Sequence, residues 1–310
     1  MTVLLYGRHA CYAALLNPKR KIELVFITQQ TLDDIDKDAA AKQALSRLGP
    51  GRVLRVEKEE LDRILANNDG RAASRPTSAA HQIGGKSAFP AKKGKEARGQ
   101  KPYDALKAGF GATHQGIVVE AQPLACVPLE SLNNPQKANQ IVLVLDHITD
   151  PQNIGSIFRL GGVFNVDAVI MTARNAPKET GAMAKVASGA IETVPRCVVP
   201  NLADAMRSLK GFGFWCVGLT EHATQSIREV DLSGKIALIM GSEGEGMRHK
   251  TESICDFNAF LPTSPCFSTL NVTTATAIAL YETFVAQNNH ISSPRKLVGS
   301  LPQCSNTHVP

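Results

Sequence analysis

The sequence predicts an α/β protein: a parallel-sheet domain covered by helices, preceded by a smaller α/β unit. Three observations predict it. Four short apolar runs recur after residue 140, at 141–145, 168–171, 214–218 and 236–240. Runs that are apolar at every position mark strands buried on both faces, the condition of a parallel sheet. Helical spacing fills the intervals at 154–164, 180–187 and 202–209, and a last helix is expected at 273–287, so strands and helices alternate as crossover connections require. At 310 residues the chain is also long enough for a second core.

That second core is expected at the N-terminal end. Residues 8–16 read as a helix, 22–28 as a strand, 32–48 as a helix, 52–56 as a strand and 59–65 as a helix. The run 116–121 reads as a further strand and is expected to pair back into this unit. Pro123, Pro128 and Pro135 punctuate a connector. The organisation expected is therefore a domain over 1–122, a linker over 123–138, a parallel-sheet domain over 139–290 and a loose tail over 291–310.

Charge is distributed unevenly. Residues 71–101 hold eight basic residues against one acid, Glu96, and account for the whole positive balance of the chain, net +6. The stretch, within an insert at about 68–101, is rich in Gly, Ala, Ser and Pro and has little to bury, so it is expected to be unfolded. Such an arm either serves as a solvated spacer or reaches for the phosphates of a nucleic acid. The seven cysteines are odd in number, scattered and without a Cys-x-x-Cys pair, which points to reduced thiols and to neither a zinc site nor a disulfide framework. No metal site is expected. No apolar run approaches a membrane span, and no secretory leader is evident at the N-terminus. A cytoplasmic protein with no membrane partner is expected.

Ligands of such sheets sit beyond the carboxyl ends of the strands, and three segments lie there. The first, from Asp146 to Arg159, carries Asn153, Gly155, Ser156 and Arg159, with Asn153, Ser156 and Arg159 spaced to share one side of a helix near its positive end. Gly155 would permit close approach of a backbone or a ligand. A capped helix with an exposed arginine would read the same way. The second, Gly241-Ser-Glu243-Gly-Glu245-Gly246-Met247, places glycines where a phosphate-binding loop has them but lacks its Lys and Ser/Thr. The dinucleotide fingerprint fails too, which argues against a dehydrogenase. Acids in a glycine loop disfavour phosphates and suit a cationic ligand such as a sulfonium compound, although a simple tight turn is the plainer reading. The third segment runs from Leu261 through Thr269, Leu270 and Asn271 into an apolar helix, which Asn271 and Thr269 could cap.

Taken together, and in this order and spacing, the three segments resemble the signature motifs of the SpoU family of RNA ribose 2′-O-methyltransferases. The match is nearest the branch that modifies a guanosine of 23S ribosomal RNA. Tyr6-Gly7-Arg8, His114-Gln115-Gly116, Lys185-Val-Ala-Ser-Gly-Ala190, Glu192, Pro195 and Asn201-Leu202 belong to the same resemblance. It implies a C-terminal trefoil knot, a feature rare enough that nothing local in the sequence would justify it. It also implies S-adenosyl-L-methionine held through Gly241, Leu261 and Leu270, an N-terminal RNA-binding domain similar to a ribosomal protein, and a homodimer formed through the methyltransferase domain. Arg159 is implied as the essential residue, with Asn153 and Glu243 orienting it or the RNA, and Asn271 and Thr269 ordering the third motif. The family usually has Ser at the position of Thr269 and Gly at that of Pro265. The partner implied is ribosomal RNA. A transfer-RNA enzyme is the alternative within the family, and a non-catalytic ribosome-assembly factor on the same fold the alternative outside enzymology.

Overall fold

A computed structural model describes residues 2–66, 81–82, 114–174, 176–264 and 269–288. Apart from 81–82, the expected basic arm at 71–101 lies outside the described residues, as do Pro265 and the tail from 291.

The N-terminal sheet contains β1 (Val3–Tyr6), β2 (Ile22–Ile27), β3 (Val53–Arg55), β4 (His81–Gln82) and β5 (Ile117–Ala121). Their order is β1-β5-β2-β3-β4. The late strand β5 inserts between β1 and β2, antiparallel to both, so the run at 116–121 does return to the first unit. Its helices are α1 (Arg8–Leu16), α2 (Gln29–Ile35), α3 (Ala39–Ser46) and α4 (Lys58–Ala66). Leu5, Val25, Ile27 and Val119 form one face of the core with α1 and α3, whereas Leu4, Phe26 and Val118 meet Leu61, Ile64 and Leu65 of α4 on the other.

Two expectations need correction here. The single helix expected at 32–48 is two helices. Asp38 adopts an extended conformation and its carboxylate accepts from the backbone N–H of Ala40 at 3.0 Å and of Ala41 at 3.2 Å. Capping a new helix competes with continuing the old one, and an Asp favours the cap. Strand β1 was not anticipated, because four residues are too short to show a period.

The larger sheet has seven strands: β6 (Gln140–Leu145), β7 (Ala168–Thr172), β8 (Arg196–Val199), β9 (Trp215–Leu219), β10 (Gln225–Ser226), β11 (Lys235–Met240) and β12 (Phe257–Phe260). The order is β10-β12-β9-β11-β6-β7-β8 and every pairing is parallel. The four strands read from apolar runs are four of the five inner ones. The missed β8 and β10 are edges, and β12 has Asn258 in its middle, so none needs apolar residues throughout. Helices α5 (Pro151–Val163), α6 (Gly181–Ala187), α7 (Leu202–Gly211), α8 (His249–Glu252) and α9 (Val272–Gln287) complete this half. Strand order reverses between β6 and β11, so the loops after these two strands face a common crevice, the usual ligand position of such sheets.

The two halves are tightly joined. An added methyl group at Gly181 would stand 2.2 Å from the Leu4 carbonyl oxygen, so α6 lies directly on β1. The Arg20 side chain is fully buried; its Nη1 stands 2.7 Å from Glu179 Oε1 and its Nε donates to Glu192 at 3.1 Å. One guanidinium thus spans the junction between two carboxylates of the second half, and its Nη1 also donates to the Gln122 carbonyl at 2.9 Å.

Candidate functional site

The crevice is built from the ends of β6 and β11 and the start of α9. Beyond β6, Asp146 is fully buried. Its carboxylate accepts from the Arg248 backbone N–H at 3.0 Å and from Arg248 Nε at 2.8 Å. A buried carboxylate needs such charge-assisted partners, and here they tie the first loop to the one after β11. Asp150 then caps α5 by accepting from Gln152 N at 3.1 Å, and Pro151 occupies the first helical turn, where its missing N–H costs nothing.

On α5, the amide of Asn153 donates to Glu243 Oε1 at 3.2 Å. Gly155 serves the approach of another helix: an added methyl there would lie 2.7 Å from the Met183 carbonyl of α6. Arg159, six residues beyond Asn153 and so roughly 9 Å further along the helix, is exposed. Among the described residues it has no hydrogen-bond or ion-pair partner.

The loop after β11 is a closed turn. Ser242 N donates to Gly246 O at 3.1 Å and Gly246 N to Ser242 O at 3.0 Å. Gly244 and Gly246 take φ of +85° and +66°, conformations that side chains rarely adopt. An added methyl at Gly241 would be 2.2 Å from the carbonyl carbon of Gly246. Glycine is therefore required at 241 by the turn's own backbone.

The third segment closes the cluster. Asn271 caps α9 through Thr273 N at 2.9 Å, and its amide donates to the same Glu243 Oε1 that Asn153 reaches. The Val272 backbone N–H points at that oxygen from 3.5 Å. Capping explains Asn271, whereas Thr269 has no cap bond among the described residues. The structure thus brings Asn153, Glu243 and Asn271 together, sets Thr269 beside them, and leaves Arg159 apart on the exposed side of α5.

Next to this cluster lies a cavity of about 710 Å³ whose walls include Gly241, Leu261 and Leu270 together with Glu243, Thr269 and Asn271. The volume is that of a small-molecule site. Among the described residues no Lys or Arg lines it, whereas Glu221, Glu243, Glu245 and Glu252 do. Among the described residues no group of three or more His, Cys, Asp or Glu is placed to hold a metal ion. Sequence reasoning missed the Asp146–Arg248 pair and the contribution of Glu221, His222 and His249 to the cavity wall. An acid directly after a fully apolar run was the available signal for Asp146.

Comparison with known proteins gives the family and the fold. The model of the SpoU rRNA methylase family matches residues 140–281, and that of the RNA 2′-O ribose methyltransferase substrate-binding domain matches residues 4–73. The 23S rRNA (guanosine-2′-O-)-methyltransferase RlmB of Vibrio vulnificus is 39% identical over 174 residues, covering 56% of this chain and 70% of that protein. Its counterpart in Pseudomonas putida is 37% identical over 187 residues, covering 59% and 75%. Among solved structures, the SpoU methyltransferase AviRb of Streptomyces viridochromogenes superimposes with a TM-score of 0.64 at 16% identity, covering 93% of this chain and 90% of that one. An AdoMet-bound rRNA methyltransferase of Sinorhizobium meliloti gives 0.64 at 17% identity, covering 94% and 88%. At these identities the structural likeness is one of fold. The sequence matches reach further, and with relatives at 39% and 37% identity matched over 70% and 75% of their own length, the chain belongs to the SpoU rRNA methylase family.

Proposed function

We propose that this protein transfers the methyl group of S-adenosylmethionine to the ribose 2′-hydroxyl of a guanosine in 23S ribosomal RNA. The observation that carries this reading is the Glu243 carboxylate. One of its oxygens accepts from Asn153 and Asn271, and it stands in the wall of the cavity formed by Gly241, Leu261 and Leu270. The names of the relatives at 37–39% identity support the guanosine of 23S rRNA as the substrate.

The cavity suits the cofactor on chemical grounds. A wall with four glutamates and, among the described residues, no Lys or Arg repels phosphates, so nucleotides and dinucleotides are poor ligands, whereas a sulfonium cation is attracted. When bound, the cofactor supplies an electrophilic methyl group. The protein's share is to hold the ribose oxygen in line with that methyl, and positioning of this kind supplies much of the rate of such reactions. Asn153 and Glu243 brace α5 against the glycine turn and so orient Arg159. Arg159 is exposed and unpaired among the described residues, and is free to bind the phosphate beside the target ribose. Its charge there favours loss of the hydroxyl proton, which passes to solvent at this exposed position. A guanidinium holds its own protons too tightly to act as the base.

Several features of the family complete the proposal. Residues 1–122 form the RNA-binding domain and 139–290 the methyltransferase domain, joined by 123–138, and the segment running from β12 into α9 threads as a trefoil knot. The enzyme is a homodimer in the cytoplasm, where ribosomal RNA is modified. A dimer face is supported by Ile278, Tyr281 and Val285, exposed apolar residues on one side of α9, beside Val163 of α5, which is 65% exposed. The ring contact of Phe164 with Phe284 at 5.8 Å joins these two helices. Mapping of 2′-O-methyl groups in ribosomal and transfer RNA from cells with and without the protein tests the reading. Loss of one guanosine methyl in 23S rRNA is expected; loss confined to transfer RNA contradicts it.

A further inference from the structure

Two segments singled out in the sequence have no part in the crevice, yet the fold brings them together. Tyr6-Gly7-Arg8, at the end of β1, and His114-Gln115-Gly116, before β5, meet around a second cavity of about 390 Å³. The backbone N–H of Arg8 donates to Gln115 Oε1 at 2.8 Å. Gln115 itself takes φ of +52° and Gly116 +83°, a turn held from below because an added methyl at Gly116 would stand 2.1 Å from Thr31 Oγ1. Behind it, the imidazole of His114 is buried and its Nδ1 accepts from Gly116 N at 2.9 Å. Burial holds His114 below its ordinary pKa, with Asp62 opposing that shift from 3.4 Å and Lys58 and Lys185 reinforcing it. A non-glycine residue held at positive φ by so many contacts marks a built site rather than a loose loop.

Two cations, Arg8 and Lys58, line this cavity together with His9, and among the described residues no acid does. Arg8 pairs with Asp34 through one nitrogen and is 40% exposed. Lys58 is exposed, and neither it nor Lys185 has an ion-pair partner among the described residues. Lys185 comes from α6 in the other half of the molecule and lies over the turn, its Cγ 3.1 Å from where a methyl at Gly7 would stand.

We propose that this cavity grips a backbone phosphate of the RNA substrate, with Arg8 and Lys58 supplied by the N-terminal unit and Lys185 by the methyltransferase half. The proposal rests on RNA being the substrate. Because Arg20 locks the two halves together, a phosphate held here sets the register of the RNA relative to the crevice. Phosphate contacts fix register and carry no sequence information, so the choice of guanosine is made elsewhere.

The test is the salt dependence of RNA binding by the full chain, with a 23S rRNA fragment as probe, for the wild type and for Lys58→Ala, Lys185→Ala and Lys21→Ala. Lys21 is an exposed lysine at the opposite end of β2 from Thr28 and controls for loss of charge. Lys58→Ala and Lys185→Ala are each expected to weaken binding about threefold or more at about 0.1 M salt and to lower the slope of log K against log salt by about one. Lys21→Ala should change the slope by less than half as much, and cofactor affinity should be the same in all four proteins. If Lys58→Ala, in the cavity wall, and Lys185→Ala, beside Gly7, both match Lys21→Ala while the wild type binds RNA, the cavity is not a phosphate grip, although the methyltransferase reading survives. Should the wild type fail to bind the RNA at all, that reading fails first. A free anion is distinguished by titrating inorganic phosphate against the His9 and His114 ring resonances: saturation that RNA does not compete away overturns the assignment to RNA.

Discussion

Asn153 of α5 donates to Glu243 of the glycine turn at 3.2 Å, and through this bond the helix that carries Arg159 is joined to the loop that walls the proposed cofactor cavity. The same Glu243 oxygen takes the amide of Asn271 at the head of α9. One carboxylate oxygen therefore sets the relative position of three chain segments. The first prediction follows from this geometry. Glu243→Ala should lower methyl transfer by about 100-fold, because small displacements of positioned groups cost that much. Glu243→Gln, which keeps an accepting oxygen, should lose less. Since the cluster is exposed, the stability change should be under about 1 kcal/mol. Single-turnover rates and thermal melts on both variants check this.

Arg159→Ala should abolish turnover while leaving folding and cofactor affinity intact. The side chain is exposed and unpaired among the described residues, so stability should move by no more than about 0.5 kcal/mol. Arg159→Lys should fail as well, since an ammonium cannot present the planar fork of donors that a phosphate accepts. Near-normal turnover in either variant would remove Arg159 from the reaction.

Gly241 is the position at which sequence and structure agree on the residue and differ on the reason. The family resemblance implies Gly241 as a backbone contact to the cofactor. In the structure a methyl group would instead meet the backbone of Gly246, 2.2 Å away. Even Gly241→Ala should therefore distort the turn, destabilise the protein by roughly 1–3 kcal/mol and weaken cofactor binding, read by calorimetry together with a melt. Unchanged melting with lost binding would restore the first explanation.

Arg20 offers a test of the junction between the halves. Its side chain and those of Glu179 and Glu192 are 4% exposed or less. Arg20→Met leaves two buried carboxylates without their cation, at a cost of about 3–5 kcal/mol, or a fall in melting temperature of roughly 10 °C. Replacing all three residues with apolar ones of similar size should recover most of that loss.

The legibility of this chain follows burial. The inner strands β6, β7, β9 and β11 were readable because both their faces are covered, which forces apolar residues at each position. The edges β8 and β10 escaped notice because that demand is relaxed there. The helix expected across 32–48 broke at Asp38, where a cap outcompeted continuation. In the crevice, the sequence indicated Asn153, Glu243, Asn271 and the three cavity residues, but only through their resemblance to a family, since each alone reads as a cap or a turn. The Asp146–Arg248 pair joins positions 102 residues apart, and no local pattern reveals such a bond. The meeting of Arg8 with Gln115 was hidden for the same reason.

The most direct measurement is transfer of labelled methyl from S-adenosylmethionine to unmodified 23S rRNA by the purified protein, followed by digestion of the RNA to nucleosides. The label should appear as 2′-O-methylguanosine at a single site, should persist in a strong chelator, and should vanish with Arg159→Ala. Label on a base, label in transfer RNA alone, or no transfer by the folded, cofactor-binding protein would contradict the proposed reaction.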